Sequence, residues 1–324
     1  MNVAAFEPGC FGKLPVAADF IGLHSHSRDA LALERWLQDG VSLARQRHGP
    51  RSDLLLRELP ETYFILWWSD PHAPLIGVIL PGRDRSGRVF PFSVFLEARS
   101  AIPRSAFEDW PLLFDRFLFE AAQVGKLEWQ DVGELARSVD GLRGHIPPPA
   151  VHDPQSDLLG TTTVQSLIGG GRDRSRLVSW AASNVRTWIP SSMDRKGGGP
   201  LSGLRFPIPA ADREGRAAAS FWLGLLRRLL GPTRQPPNCF WTVAREGNEG
   251  HLDAYFDPVD SLGFLHLLAP EFDSDRLYPV EEGGSNARGG TTQKTDGRFA
   301  RLNDPALTLV DALHLLAPGE GRDS

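Results

Sequence analysis

The side chains best suited to hold a metal ion are His24 and His26, one residue apart, with Asp19 just upstream. Alternate residues of an extended chain share a face, so two imidazoles and a carboxylate could converge there. No further His or Cys stands at ligand spacing, and solvated loop histidines are the simpler expectation. Gly169-Gly170-Gly171, followed by Arg172, Arg174 and Arg176, could cradle an anion through backbone N–H groups and guanidinium forks. The Gly-Lys-[Ser/Thr] end of a phosphate loop is missing and no strong strand leads in, so a flexible linker is expected. Gly9-Cys10-Phe11-Gly12 lacks the third glycine of a dinucleotide fingerprint, and Pro15 blocks the helix that should follow. No nucleophile elbow, zinc-protease helix or paired carboxylates stand out. The sequence therefore assigns no catalytic residue, no metal and no cofactor.

The run Asp84-Arg85-Ser86-Gly87-Arg88 carries the most information. Asp at the first position and Gly at the fourth suit a type I turn, with the carboxylate bonding local N–H groups. One reading is a well-formed hairpin turn. The other is a charged loop tip that presents Arg85 and Arg88 to a partner.

Several elements must position these residues. Residues 9–21 read as a short strand, a Pro-containing turn and extended chain. Ser27 is placed to N-cap a helix in which Leu33, Trp36, Leu37, Val41 and Ala44 form one face, and Gly49-Pro50 stops it. Residues 62–68 are apolar on both faces, which suits a central strand. Strands follow at 75–80 and 89–97, the last with Phe90, Phe92, Val94 and Leu96 on one side. Their short connections predict an antiparallel meander. Helices are expected at 105–124 and 128–140, with a possible strand within 177–189. Beyond these, a helix at 214–230, a hairpin of 239–243 with 251–256, and helices at 258–268 and 305–316 follow, the last capped by Asp304. The aromatic strands around Phe64 and Phe240 echo one another weakly, as two aromatic strands often do by chance.

Nine Trp and eighteen Phe promise a rigid aromatic core. Net charge is −5, which offers no electrostatic reason to expect nucleic acid or an anionic membrane as partner. Two distant cysteines, Cys10 and Cys239, are too few for a disulfide framework and read as buried thiols. The first residues carry no basic and apolar leader, and no run is long enough to span a bilayer, so a cytoplasmic protein is expected.

Gly9-x-Phe11-Gly12-Lys13-Leu14-Pro15, then Asp19-Phe20, resembles the opening signature of the TagF/ImpM family, with Ala18 where that pattern has Gly. Arg35-Trp36-Leu37-Gln38-x-Gly40 is similar to the family's first helix. Pro81-x-x-Asp84-Arg85-x-Gly87-Arg88-x-Phe90-Pro91 is similar to its second signature. More loosely, 204–268 resembles the family's second part, including the strand that holds Trp241. The resemblance implies an α/β (α+β) fold: a central, mainly antiparallel sheet flanked by helices on both faces, with a looser second half. It implies a non-enzymatic accessory protein of bacterial type VI secretion. Such a protein acts after translation, mostly as a repressor, and binds a forkhead-associated scaffold protein. A structural accessory of the apparatus is the alternative, and an enzyme acting on phosphoryl groups a weaker one.

The organisation expected is a TagF-like region at 1–142, a Gly/Pro-rich linker or insertion at 143–202, a second part of the fold at 203–280 and a tail with a terminal helix at 281–324. Lys13, Asp19, Asp84, Arg85 and Arg88 are the candidate partner surface. Reversing charge at Arg85 and Arg88 is expected to spare folding and weaken scaffold binding. Gly9, Phe11, Gly12, Pro15, Phe20, Trp36, Pro81, Gly87, Phe90, Pro91 and Trp241 are expected to be structural.

Overall fold

The structure, a computed structural model, describes residues 6–68, 73–98, 110–146, 159–168, 177, 203–208, 212–231, 235–243, 249–256, 258–269, 277–280 and 301–316. The triple-glycine segment with its three arginines, nearly all of the strand expected within 177–189, and 281–299 lie outside these residues.

The meander forms where the short connections place it. Strands β3 (Thr62–Leu66), β4 (Leu75–Leu80) and β5 (Phe92–Ala98) pair antiparallel in succession. β1 (Phe6–Gly12) closes on β5 along its whole length, and the short β2 (Ile21–Leu23) edges β1. From the second half come β6 (Gly203–Ile208), β7 (Asn238–Trp241), β8 (Gly250–Tyr255) and β9 (Leu277–Pro279). All nine make a single sheet in the order β2-β1-β5-β4-β3-β7-β8-β6-β9. Among the described strands, only the β6–β9 pairing is parallel. Among the described residues, the outermost strands, β2 and β9, are three residues long.

Helices cover both faces. On one lies α1 (Arg28–His48), where Ser27 accepts from the Ala30 N–H and Leu33, Trp36, Leu37, Val41 and Ala44 are buried. It is followed by α2 (Ser52–Arg57), a short helix the periodicity did not reveal. The other face carries α3 (Trp110–Leu113), α4 (Asp115–Lys126), α5 (Val132–Gly141), α6 (Val164–Ile168) and α7 (Asp212–Leu230). α8 (Ser261–Leu268) packs beside α1, and α9 (Leu309–Leu316) beside α7.

Four local expectations change. Phe90 precedes its strand and packs on the α1 side, whereas Phe92, Val94 and Leu96 face α4, because Pro91 delays pairing until Phe92. The helix expected at 105–124 is interrupted at Phe114 and begins, among described residues, at Trp110. Asp260 rather than Pro258 marks the start of α8, since its carboxylate accepts from the Leu262 N–H. Asp304 caps only a turn, and Thr308 accepts the Asp311 N–H at the start of α9.

The echo between Phe64 and Phe240 has a positional cause. β3 and β7 are the central pair of the sheet, in register at Phe64↔Phe240. Both are covered on both faces and so need the same residue types. Trp36 stacks on Phe240 at 5.1 Å and donates Nε1–H to the Asp260 carbonyl, and Trp241 stacks on Tyr63 at 5.6 Å. These rings join the first strands to the last. Truncating a buried Trp to Ala costs about 3–5 kcal/mol, which is the scale of what each seam ring contributes.

Candidate partner-binding site

The two signature stretches meet. β1 delivers Gly12 opposite Phe92, with φ +135°, a conformation that suits glycine. A Cβ there would lie 2.2 Å from the Pro91 carbonyl oxygen, and one at Gly82 would lie 2.4 Å from that of Lys13. The backbones of the two stretches are in contact, and side chains larger than hydrogen do not fit between them.

Asp84 sits at the centre. The turn forms as the residue types predict: the Gly87 N–H donates to the Asp84 carbonyl at 2.9 Å, and Gly87 takes φ +86°. The carboxylate is buried. It accepts from Lys13 Nζ at 2.9 Å, Arg88 Nε at 2.6 Å, the Ser86 hydroxyl at 2.6 Å and the N–H groups of Ser86 and Arg88. Burial by itself would raise its pKa. The hydrogen bonds from Ser86, Lys13 and Arg88 outweigh that and hold it well below the usual carboxylate range. Arg88 also donates to the Ala18 carbonyl at 2.5 Å, and Arg85 to that of Val16 at 2.6 Å. The Arg85 N–H reaches the Ala17 carbonyl.

The expected surface is therefore divided. Lys13 and Asp84 are interior, while Asp19, Arg85 and Arg88 are exposed. Asp19 accepts the Phe20 N–H. The two arginines spend their donors inward on the 16–18 loop. Reversing both charges would remove the Arg88–Asp84, Arg88–Ala18 and Arg85–Val16 bonds, so a test of the pair as a partner surface needs the melting curve beside the affinity. Phe20 is 43% exposed, lies 5.4 Å from Phe11 in a stacked pair and 4.8 Å from Phe90 edge-on, with Lys13 Nζ over its ring. Ala18 does not adopt positive φ, so the position does not require the glycine of the family pattern.

Beside the clamp runs an open groove of about 610 Å³. Leu14 and Val16 contribute its buried apolar part, and exposed Pro15, Pro81 and Leu127 its rim. Trp129 is held at one end by its Nε1 bond to the Val124 carbonyl. Among the described residues, Arg57, Arg83 and Lys126 line it against a single acid, Glu128. Lys126 pairs with Glu61 at 2.6 Å.

His24, the first metal candidate, lies elsewhere. Its ring contacts Asp140 at 3.1 Å and Glu7 at 3.5 Å, and its backbone takes φ +51°. Among the described residues no cluster of three His, Cys, Asp or Glu side chains could hold a metal ion.

Sequence reasoning missed a second polar cluster beneath α8. Arg205 makes a bidentate pair with Asp253, both bonds 2.7 Å, between neighbouring strands. His251 Nε2 lies 3.7 Å from Asp253, and Thr242 Oγ1 lies 3.4 Å from His251 Nδ1. Tyr255 bonds His266 at 2.9 Å. The order Thr, His, Asp resembles a nucleophile and its base. Yet the three are buried, the Thr242 hydroxyl accepts the His251 N–H, and burial pushes the His251 imidazolium down to about 4. The Arg205–Asp253 pair and the His251–Thr242 bond tie neighbouring strands of the sheet together. The signal was present in His251, Asp253 and Tyr255 at alternate positions of a strand, which points polar groups to one face.

The cysteines are free and buried, and burial raises both thiols, Cys10 to about 12. No helix among the described residues is long and apolar enough to cross a membrane.

Comparison with known proteins bears on this corner of the fold. No curated protein matches the chain. The crystal structure of PA0076 from Pseudomonas aeruginosa PAO1 is similar at 15% identity, covering 82% of this chain and 96% of that one, with a TM-score of 0.46, a likeness too slight to carry an argument. A family model described as the TagF N-terminal domain, type VI secretion system-associated, matches residues 9–124, a stretch that contains Asp84 and all its hydrogen-bond partners. Residues 9–124 of this chain are thus similar to the TagF N-terminal domain, of a family associated with type VI secretion.

Proposed function

We propose that this protein is a non-enzymatic, cytoplasmic regulator of type VI secretion that acts after translation. It docks on a forkhead-associated scaffold protein and represses assembly. The reading is supported by one observation above all. The signature residues are spent on joining two loops into a fixed corner, through Lys13–Asp84 at 2.9 Å and Arg88–Ala18 at 2.5 Å, next to an open groove. A rigid corner that borders an accessible groove suits recognition of a partner, since little ordering entropy is lost on binding. Repression then follows by population shift: the bound scaffold favours its silent state by the difference in affinity between its two states.

Isothermal titration of the full chain against the purified scaffold protein tests this. Saturable one-site binding, together with suppressed secretion on overexpression, is expected. Heat-free mixing, or co-purification with assembled sheath in place of free scaffold, would overturn it in favour of a structural accessory.

A further inference from the structure

Arg57 and Arg83 are exposed on the groove and make no ion pair with any described residue. They come from separate elements, the end of α2 and the hairpin corner. Lys126 ends α4 on the same groove, although Glu61 already neutralises it. Among the described residues, Glu128 is the one acid in the lining. The whole chain is acidic, at −5, so this local excess of positive charge runs against the average. Between the cations lie Pro15, Pro81 and Leu127, the last 54% exposed, with Trp129 at one end. Exposed apolar surface interleaved with guanidinium groups that lack counterions is complementary to one chemistry: an extended acidic segment that also carries apolar side chains.

We propose that this groove is a docking site for an acidic, apolar-containing peptide segment of a partner protein. The carboxylates of that segment bridge Arg57 and Arg83. Its apolar side chains lie on Pro15, Leu127 and Trp129. This deepens the function proposed above by giving the docking surface, and it separates that surface from the clamp. Arg85 and Arg88 shape the corner; Arg57 and Arg83 meet the partner.

The test uses the full chain with Arg57→Glu and Arg83→Glu together, and a control carrying Arg28→Glu and Arg35→Glu on the exposed side of α1. The probe is a fluorescein-labelled peptide alternating Glu with Leu and Pro, beside its Gln analogue, read by anisotropy. The native chain and the control should prefer the Glu peptide at least about tenfold, with affinity falling as salt rises. The groove variant should lose that preference and keep the native melting curve, because both guanidinium groups are exposed and make no ion pair with a described residue. Equal binding of the Glu and Gln peptides, or a groove variant that binds like the control, overturns the docking site. A parallel titration with the scaffold protein separates the two claims. If the native chain and the groove variant bind the scaffold alike, the groove proposal fails and the regulatory reading stands. If the native chain ignores the scaffold while the peptide result holds, the choice of scaffold fails and the groove stands.

Discussion

Asp84 and His251 are both buried among charges, yet they respond to acid in different ranges. The Asp84 carboxylate is held ionised by Lys13, Ser86 and Arg88, so its contribution is present above the ordinary aspartate range and is lost only in strong acid. Asp84→Asn should lower the urea midpoint at neutral pH by more than Arg88→Met. It leaves Lys13 a buried cation without its counterion, whereas Arg88 is largely exposed. Equal midpoints for the two variants would show that the Lys13 pair does not anchor the corner. His251 titrates in milder acid. Burial lowers it most, Arg205 and His266 lower it further, and Asp253 opposes them, leaving it at about 4 against an ordinary 6.5. Between those values the unfolded chain binds the extra proton, so stability falls as pH drops from about 6.5 towards 4. The loss is on the order of 3 kcal/mol. His251→Gln should flatten that part of the stability profile, measured by urea denaturation at several pH values. A slope unchanged from the native chain would remove His251 as its source.

At the scale of elements, the contact of α1 with α8 turns on one residue. Gly40 lies in the middle of α1, where Ala would be favoured by about 1 kcal/mol on helix propensity. A Cβ there would meet the Phe264 ring and Cβ at about 2.5 Å. Phe264 also packs edge-on against Trp36, so it has little room to retreat. Gly40→Ala should therefore destabilise by roughly 1–3 kcal/mol, the usual penalty of overpacking a filled core. A gain in thermal midpoint would show that α8 shifts freely. The family motif around Trp36 and Gly40 thus reads as an interlock between the first helix and the last part of the sheet. The sequence pattern placed both residues on α1, but their partners Phe240 and Phe264 lie far along the chain.

For the molecule as a whole, the single sheet bears on how the chain can be divided. The boundary expected after residue 142 separates β3 from β7, which form the middle of the sheet. A fragment ending at residue 146 would expose the edge of β3, with Phe64 and Tyr63 stripped of their ring partners Phe240 and Trp241. We expect such a fragment to aggregate or to bind a hydrophobic dye such as ANS, while the full chain stays monodisperse. A monomeric fragment with a cooperative melt would restore the idea of an independent first domain. The β3–β7 pair does not reflect a duplication of α1 and α7. An antiparallel neighbour related by a two-fold axis keeps its covering helix on the same face, whereas these two helices lie on opposite faces.

Much of this is local, and local features are legible in residue order. The cap at Ser27, the turn at Asp84 and Gly87, and the meander follow from side-chain reach, positive φ and connection length, each settled within a few residues. Charge on the Asp84 turn was legible too, but its direction was not. Whether Lys13 meets the Asp84 carboxylate, and Arg88 the Ala18 carbonyl, depends on a stretch some seventy positions away in the chain being brought alongside, as the β1–β5 pairing does. The groove was illegible for the same reason. Arg57, Arg83 and Trp129 have no sequence relation, and the packing of α2, the β4–β5 hairpin corner and the end of α4 at one end of the strands brings them to a common surface.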